Sequence, residues 1–454
     1  MIDRPRYVQR LAARRRDGLV KVITGLRRCG KSYLLFNLFR ACLAEEGVDD
    51  AHVIGVDLED KENARFRNPN RLFDHIVKRL PNDGKWTYVF IDEIQMCRKV
   101  LAPGVKLAEV AKEDRADAHV TFYDILNSLR KKPLVDVYVT GSNSKLLSKD
   151  VATNFRDRGV EIRLAPLSFA EYFAAIGIAD KSEALNRYLT WGGMPAAVLE
   201  QDDAARAEYL KDLFRKVYFK DIQERNKLRG IETCERVLGA ICSTIGSLTN
   251  PHRLVNTLKS EGGFVVTERT LAKHLGYFCD AFLFSKAERY DIRGKKYLAY
   301  PQKYYAVDVG LRNARLNFRE TDEAHLMENV IYNELVARGY NVDVGVVEVM
   351  GRDKNGKSVL RQYEIDFVVN AGFNKVYIQS AYTLDGRGKL EQEKSSLTQS
   401  GDFFQKIIVE NGYREFRPDE DGIFRVGIIP FLLDSSILDG VIREARSSPR
   451  KMVR

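Results

Sequence analysis

Along the first third of the chain, short unbroken apolar runs alternate with longer stretches whose apolar residues recur at helical spacing. The runs at 19–24, 51–57, 87–92, 135–140 and 160–164 are rich in Val, Ile or Tyr and read as strands buried on both faces. Between them, Tyr33 to Leu43, Arg71 to Leu80 and Phe122 to Leu129 have the spacing of helices. The alternation predicts βαβ units and an α/β fold around a parallel sheet. The charged stretch from Arg98 to His119, with Pro103 and Gly104, reads as a surface insertion.

The junction of the first strand and first helix carries recognisable chemistry. Gly25-Leu26-Arg27-Arg28-Cys29-Gly30-Lys31-Ser32 has the form G-x-x-x-x-G-K-S, with Tyr33 opening the helix behind it. Glycines let the backbone turn its N–H groups onto phosphate oxygens, and the helix adds its positive end. Lys31 reaches the β/γ-phosphates and Ser32 holds Mg²⁺, so ATP and Mg²⁺ are the expected ligands. Tyr88-Val89-Phe90-Ile91-Asp92-Glu93 is an apolar strand ending in two carboxylates. Asp92 is placed to bind Mg²⁺ beside Ser32, and Glu93 to activate the attacking water. One strand later, Thr140-Gly141-Ser142-Asn143 reaches the same edge, where Asn143, with Ser142 second, is expected to sense the γ-phosphate.

Downstream, helical patterns over Cys234 to Ile245, Pro251 to Leu258 and from Thr267 precede two strands, Phe282 to Tyr290 and Tyr297 to Tyr305, joined by Arg293-Gly294-Lys295-Lys296. Helices followed by a ribbon with a basic tip predict a winged helix. Arg269 and Lys273 would then enter a DNA major groove while Lys295 and Lys296 touch phosphates. Further on, Glu328 to Leu335 reads as a helix, and Tyr363 to Val369 and Val376 to Ala381 as adjacent strands.

With these residues in view, the chain resembles prokaryotic AAA+ ATPases whose phosphate loop reads G-x-R-R-x-G-K-[ST]. The resemblance runs on through Thr140 to Asn143, Pro166-Leu167-Ser168-Phe169-Ala170-Glu171-Tyr172 and Gly192-Gly193-Met194-Pro195. It implies a helical lid from Ser168 to Leu213, and an arginine finger acting in trans at Arg156 or Arg158. The last domain resembles the PD-(D/E)XK nuclease fold. Glu328 and Asp366 match its first two metal-binding positions, but the third run reads Gln379-Ser380-Ala381, without carboxylate or lysine. An amide is a poor ligand for a hard cation, so a nuclease-like fold without robust cleavage is expected, Arg387 and Lys389 being the only cations nearby in sequence. The organisation that follows is a P-loop core at 1–165, a lid at 166–230, a winged-helix-like module at 231–315, a nuclease-like domain at 316–440 and a basic tail at 441–454.

Charge sharpens one point. Residues 215–312 hold 18 Lys/Arg against 10 Asp/Glu, most of the chain's net +10, which favours contact with phosphate backbones. The six cysteines form no C-x-x-C pair, and neither a zinc site nor a disulfide framework is expected. No apolar run is long enough to span a membrane, and Met1 to Arg10 is charged, so a cytoplasmic protein is expected. The favoured function is ATP hydrolysis coupled to contacts of the C-terminal half, with DNA and further copies of the chain as partners. The alternatives are an ATP-gated nuclease and a nucleotide-controlled assembly or signalling switch.

Overall fold

The computed structural model describes residues 2–115, 117–141, 158–219, 222–223, 226, 228, 230–262, 266–319, 322–352, 356–372, 374–384 and 387–447. It divides into two compact units, Met1–Ala165 with Asp280–Phe282, and Pro166–Cys279 with Leu283–Arg454.

In the first unit a short helix, α1 (Pro5–Ala13), precedes five strands: β1 (Val20–Gly25), β2 (Val53–Asp57), β3 (Thr87–Asp92), β4 (Val135–Thr140) and β5 (Gly159–Leu164). They lie in the order β2-β3-β4-β1-β5 and all their pairings are parallel, so their carboxyl ends share one edge. Val22, Ile54, Val89, Ile91 and Val139 pack with Leu72 and Ile76 of α3 (Pro69–Arg79) and Leu126 and Leu129 of α4 (Phe122–Arg130). On the other face, the helix after the phosphate loop, α2, begins at Lys31–Tyr33, passes through a π-helical stretch at Leu34–Phe39 and continues as Arg40–Glu45. Its Phe39 ring lies 5.9 Å from Phe90 and 5.0 Å from Tyr138. A Cβ at position 55 would come within 2.8 Å of the Phe36 ring, so Gly55 lets α2 sit close on the sheet. The strands also bury charge: Lys21, fully buried, pairs with Asp136 on β4 and with Asp17.

The second unit opens with α5 (Phe169–Ile176), α6 (Lys181–Trp191), α7 (Pro195–Leu199) and α8 (Asp203–Asp212). Ser168 and Glu171 form a capping box at the start of α5, an arrangement contributing about 1 kcal/mol. Then follow α9 (Ile231–Ser243), β6 (Leu248–Thr249), α10 (Pro251–Gly262), α11 (Glu268–Asp280), β7 (Phe284–Asp291) and β8 (Lys296–Ala306). Beyond them lie α12 (Val309–Arg315), α13 (Glu323–Ala337), β9 (Asn341–Arg352), β10 (Ser358–Ala371), β11 (Asn374–Ala381), α14 (Arg387–Thr398), β12 (Gln405–Glu410), β13 (Arg417–Pro418) and β14 (Phe424–Gly427). The nine strands form one sheet in the order β13-β14-β12-β11-β10-β9-β7-β8-β6. The β7–β8 ribbon is therefore not isolated: β7 pairs in parallel with β9, and β8 also pairs with β6, a two-residue strand with no pattern of its own.

The Gly192-Gly193 turn has a packing role. A Cβ at Gly193 would lie 2.2 Å from the Leu167 carbonyl oxygen, and one at Gly310 would lie 1.9 Å from that of Trp191. Asp308 is buried in this seam, accepting from Gly193 N–H at 2.7 Å and from Leu311 N–H at 2.9 Å to cap α12. Burial pushes its carboxyl up to about 6, against those backbone hydrogen bonds. Because the folded value lies above the unfolded one, ionisation opposes folding: the penalty is absent below the unfolded value and complete above the folded one. The stability of the wild type relative to Asp308→Asn is thus expected to fall by about 3 kcal/mol between about pH 4 and pH 7, as read from urea unfolding of both proteins.

Candidate functional site

The phosphate loop leaves the carboxyl end of β1 at the shared edge. Gly25 has φ +142°, and a Cβ there would meet the Leu164 carbonyl oxygen at 2.2 Å, so β5 can lie against the loop only because residue 25 is glycine. Arg28 and Gly30 take positive φ, 62° and 95°. Cys29 points inward, fully buried, with its Sγ 3.6 Å from the Leu164 carbonyl oxygen. Burial pushes its thiol up, so it is a packing residue and not a reactive one. The buried Arg4 donates to the carbonyls of Cys29 and Ala165 and ties the chain before α1 to the back of the loop. Leu26 is buried, whereas Arg27 faces Glu59 and Arg28 and Ser32 are exposed. Tyr33 is half-buried in the first turn of α2.

Lys31 is buried, and its ammonium donates to the Gly25 and Leu26 carbonyls at 3.3 and 3.1 Å. These bonds hold the side chain folded over the loop that a triphosphate would occupy. Across from it, Asp92 ends β3. Burial raises its carboxyl, while hydrogen bonds from Ser32 and Thr140 pull it back. The structure therefore brings Ser32 and Asp92, separated by 60 positions, within reach of one another. A hydroxyl and a carboxylate are a suitable donor pair for a hard divalent cation.

Glu93 follows in a left-handed conformation, φ 48°. Its N–H donates to Thr140 Oγ1 at 3.0 Å, and its carboxylate accepts from Gln95. Thr140 in turn donates to Asp92. One hydroxyl at the end of β4 thus positions the Asp92 carboxylate and the Glu93 backbone, a role that sequence reasoning did not assign. Its signal was a strand-terminal hydroxyl beside an Asp-Glu strand end. Asn143, Ser142 and Arg156 lie outside the described residues. Arg158 is exposed at the amino end of β5, where its carbonyl accepts from Val20 N–H at 2.9 Å. That is the opposite end of β1 from the loop, roughly 17 Å away for a strand of this length, so Arg158 serves no phosphate of its own chain.

In the second unit, Arg269 and Lys273 are exposed one turn apart on α11, and Lys295 and Lys296 are exposed where β7 turns into β8. Glu328 on α13 and Asp366 on β10 converge on one ammonium. Gln379 on β11 does not join them as a third ligand. Its Oε1 accepts from Asp366 N–H at 3.4 Å and from Ser396 at 3.3 Å. The cation in this cluster is not among those the sequence reading names as nearby, Arg387 and Lys389. Lys303 of β8, 3% exposed, places its ammonium 2.8 Å from both Glu328 and Glu364 and 3.5 Å from Asp366. Sequence proximity misled here, because β8 lies some 60 positions before β10 in the chain. Tyr305 also donates to Glu328 at 2.6 Å. Burial and the neighbouring Glu328 hold the Asp366 carboxyl well above the usual carboxylate range. Among the described residues no group of three or more His, Cys, Asp or Glu is arranged to hold a metal ion, and no helix is long and apolar enough to cross a membrane.

Comparison with known proteins agrees with the first unit's geometry. A family model described as an AAA domain matches residues 17–173, and one described as a domain of unknown function (DUF8612) matches residues 182–322. An uncharacterized protein of Haemophilus influenzae is 30% identical over 437 residues, 95% of this chain and 99% of that one. The uncharacterized protein MJ1544 of Methanocaldococcus jannaschii is 27% identical over 387 residues, 83% of this chain and 77% of that one. Among solved structures, the Walker-type ATPase PABY2304 of Pyrococcus abyssi is similar at 14% identity and a TM-score of 0.44, over 70% of this chain and 96% of that one. The Orc1 protein of Aeropyrum pernix, solved in complex with DNA, is similar at 14% identity and a TM-score of 0.26, over 70% and 93%. The chain therefore belongs to the same family as the Haemophilus influenzae protein, and its first unit carries an AAA domain.

Proposed function

We propose that the protein hydrolyses ATP with Mg²⁺ and uses its nucleotide state to control contacts of the second unit with DNA. The observation that carries the catalytic part is the placing of Ser32 beside Asp92 at the loop, with Glu93 next to them and Thr140 bonded to the Asp92 carboxylate and to the Glu93 N–H. Lys31 would leave its two carbonyl partners for the β/γ-phosphates, exchanging neutral acceptors for charged ones. Ser32 and Asp92 would hold Mg²⁺, which neutralises phosphate charge when bound. Glu93 would take the proton of the attacking water, its position set by the backbone bond to Thr140. Arg156 or Arg158 of a neighbouring copy would supply an arginine finger.

The DNA part rests on charge and exposure. Helix, strand, two helices and two strands, α9 to β8, follow one another in the order of a winged helix, and the exposed Arg269, Lys273, Lys295 and Lys296 lie on its third helix and at its ribbon tip. The test is duplex binding over a salt series beside ATPase rates with and without DNA. Affinity is expected to fall steeply with salt, and replacing Lys295 and Lys296 by Ala to flatten the log–log slope by about 2. Turnover indifferent to DNA, with salt-independent binding and a co-purifying protein, would favour the assembly switch instead.

A further inference from the structure

The ion cluster of the second unit gathers three carboxylates around one ammonium, with Arg289 as a further cation beside Glu364. Glu328, Glu364 and Asp366 come from α13 and β10, and Glu364 and Asp366, two apart on one strand, share a face. They converge on one buried ammonium, which arrives from a third element, β8. Carboxylates gathered from separate elements around a single point are the environment a hard divalent cation takes. Here that point is filled by nitrogen. The remaining acceptor capacity is partly met by Tyr305 on Glu328 and by Ser380 N–H on Asp366 at 2.9 Å, while Glu364 Oε2 is buried without a hydrogen-bond partner.

We infer that the Lys303 ammonium is the resident cation of this cluster, closing it to divalent metal ions in the native protein and locking β8 to α13 and β10. An ammonium does this without metal because its three N–H donors match the three carboxylates around it. It also cannot diffuse away, so the join does not depend on ion concentration. The same strand begins at Lys296, at the exposed end of the ribbon. The cluster therefore anchors the inner half of β8, which a register shift between Leu298 and Lys303 separates from the tip. Removing the ammonium leaves the buried Glu328 and Asp366 without a cation, beside a part-exposed Glu364 that faces Arg289, and the buried pair must bind protons or another cation to remain folded.

The test uses the nucleotide-free full-length chain with Asp92→Asn, so that the phosphate-loop site does not contribute, and reads bound Mn²⁺ by electron paramagnetic resonance. With Lys303 intact, no Mn²⁺ is expected to bind at the cluster. Lys303→Met is expected to take up about one equivalent, to lose it on addition of Asp366→Asn, and to melt higher with Mn²⁺ than with chelator. Mn²⁺ bound while Lys303 is present, and lost on Asp366→Asn, would overturn the inference without requiring any Lys303 variant to fold. A folded Lys303→Met chain that binds no Mn²⁺ would overturn it as well. If Lys303→Met folds only when Mn²⁺ is present, the inference is supported; if it stays unfolded with and without Mn²⁺ while the polar, uncharged Lys303→Gln is folded and Mn²⁺-free, it fails.

Discussion

Glu93→Gln is expected to bind ATP as the wild type does and to turn it over about 10² to 10⁴ times more slowly. The amide keeps the size of the carboxylate and leaves the backbone bond from residue 93 to Thr140 in place, so the left-handed turn and the position of Asp92 survive. Only the ability to accept a proton from water is lost. Lys31→Ala separates binding from chemistry in the opposite way. It removes the ammonium that the loop presents to phosphate, and nucleotide affinity itself is expected to fall. Filter binding of labelled ATP beside phosphate release distinguishes the two: retained turnover in both variants would dismiss the assignment of this site.

Asp136→Ala is expected to lower the stability of the first unit by about 3 kcal/mol, the lower end of what breaking a buried ion pair costs. Lys21 sits in β1, between β4 and β5, with no exposed surface and its ammonium on Asp136. Without that carboxylate, only the partly exposed Asp17 remains to compensate it. Asp136 also accepts from Arg16 N–H and from the Tyr138 hydroxyl, both at 2.9 Å, so the truncation strands a charge and two donors together. Such a loss is a large part of the 5 to 15 kcal/mol that holds a typical domain folded. Urea unfolding monitored by the Trp86 signal reads it directly. Lys21→Met combined with Asp136→Leu is expected to recover much of the loss, because burying two apolar side chains avoids desolvating two charges.

The parts of the nucleotide site that were legible in sequence are those whose chemistry is local. The glycines, lysine and serine of the loop occupy consecutive positions, and the Asp-Glu pair closes a strand visible from its own apolar run. What escaped was set by pairing across the sheet. Thr140 looked like the last residue of a strand until β4 lay beside β3. Lys21 interrupted an apolar run without any sign that Asp136 would meet it. Gly192-Gly193, noticed as a motif, had no meaning until Asp308 and Gly310 were seen packed against it. In the second unit, Glu328 and Asp366 were found through resemblance, whereas Glu364 and Lys303 were not.

Periodicity and turn chemistry along the chain determined which segments became strands and helices in the first unit, and that a triphosphate loop would sit at the end of β1, because both follow from interactions among residues close in sequence. Strand order, and with it the partner of every buried charge, was decided only in the folded protein. A lysine's own neighbours in the chain do not reveal which carboxylates will surround it; that depends on which distant strands lie alongside, and at Lys21 and Lys303 the low-dielectric interior makes that choice of neighbours the dominant energy.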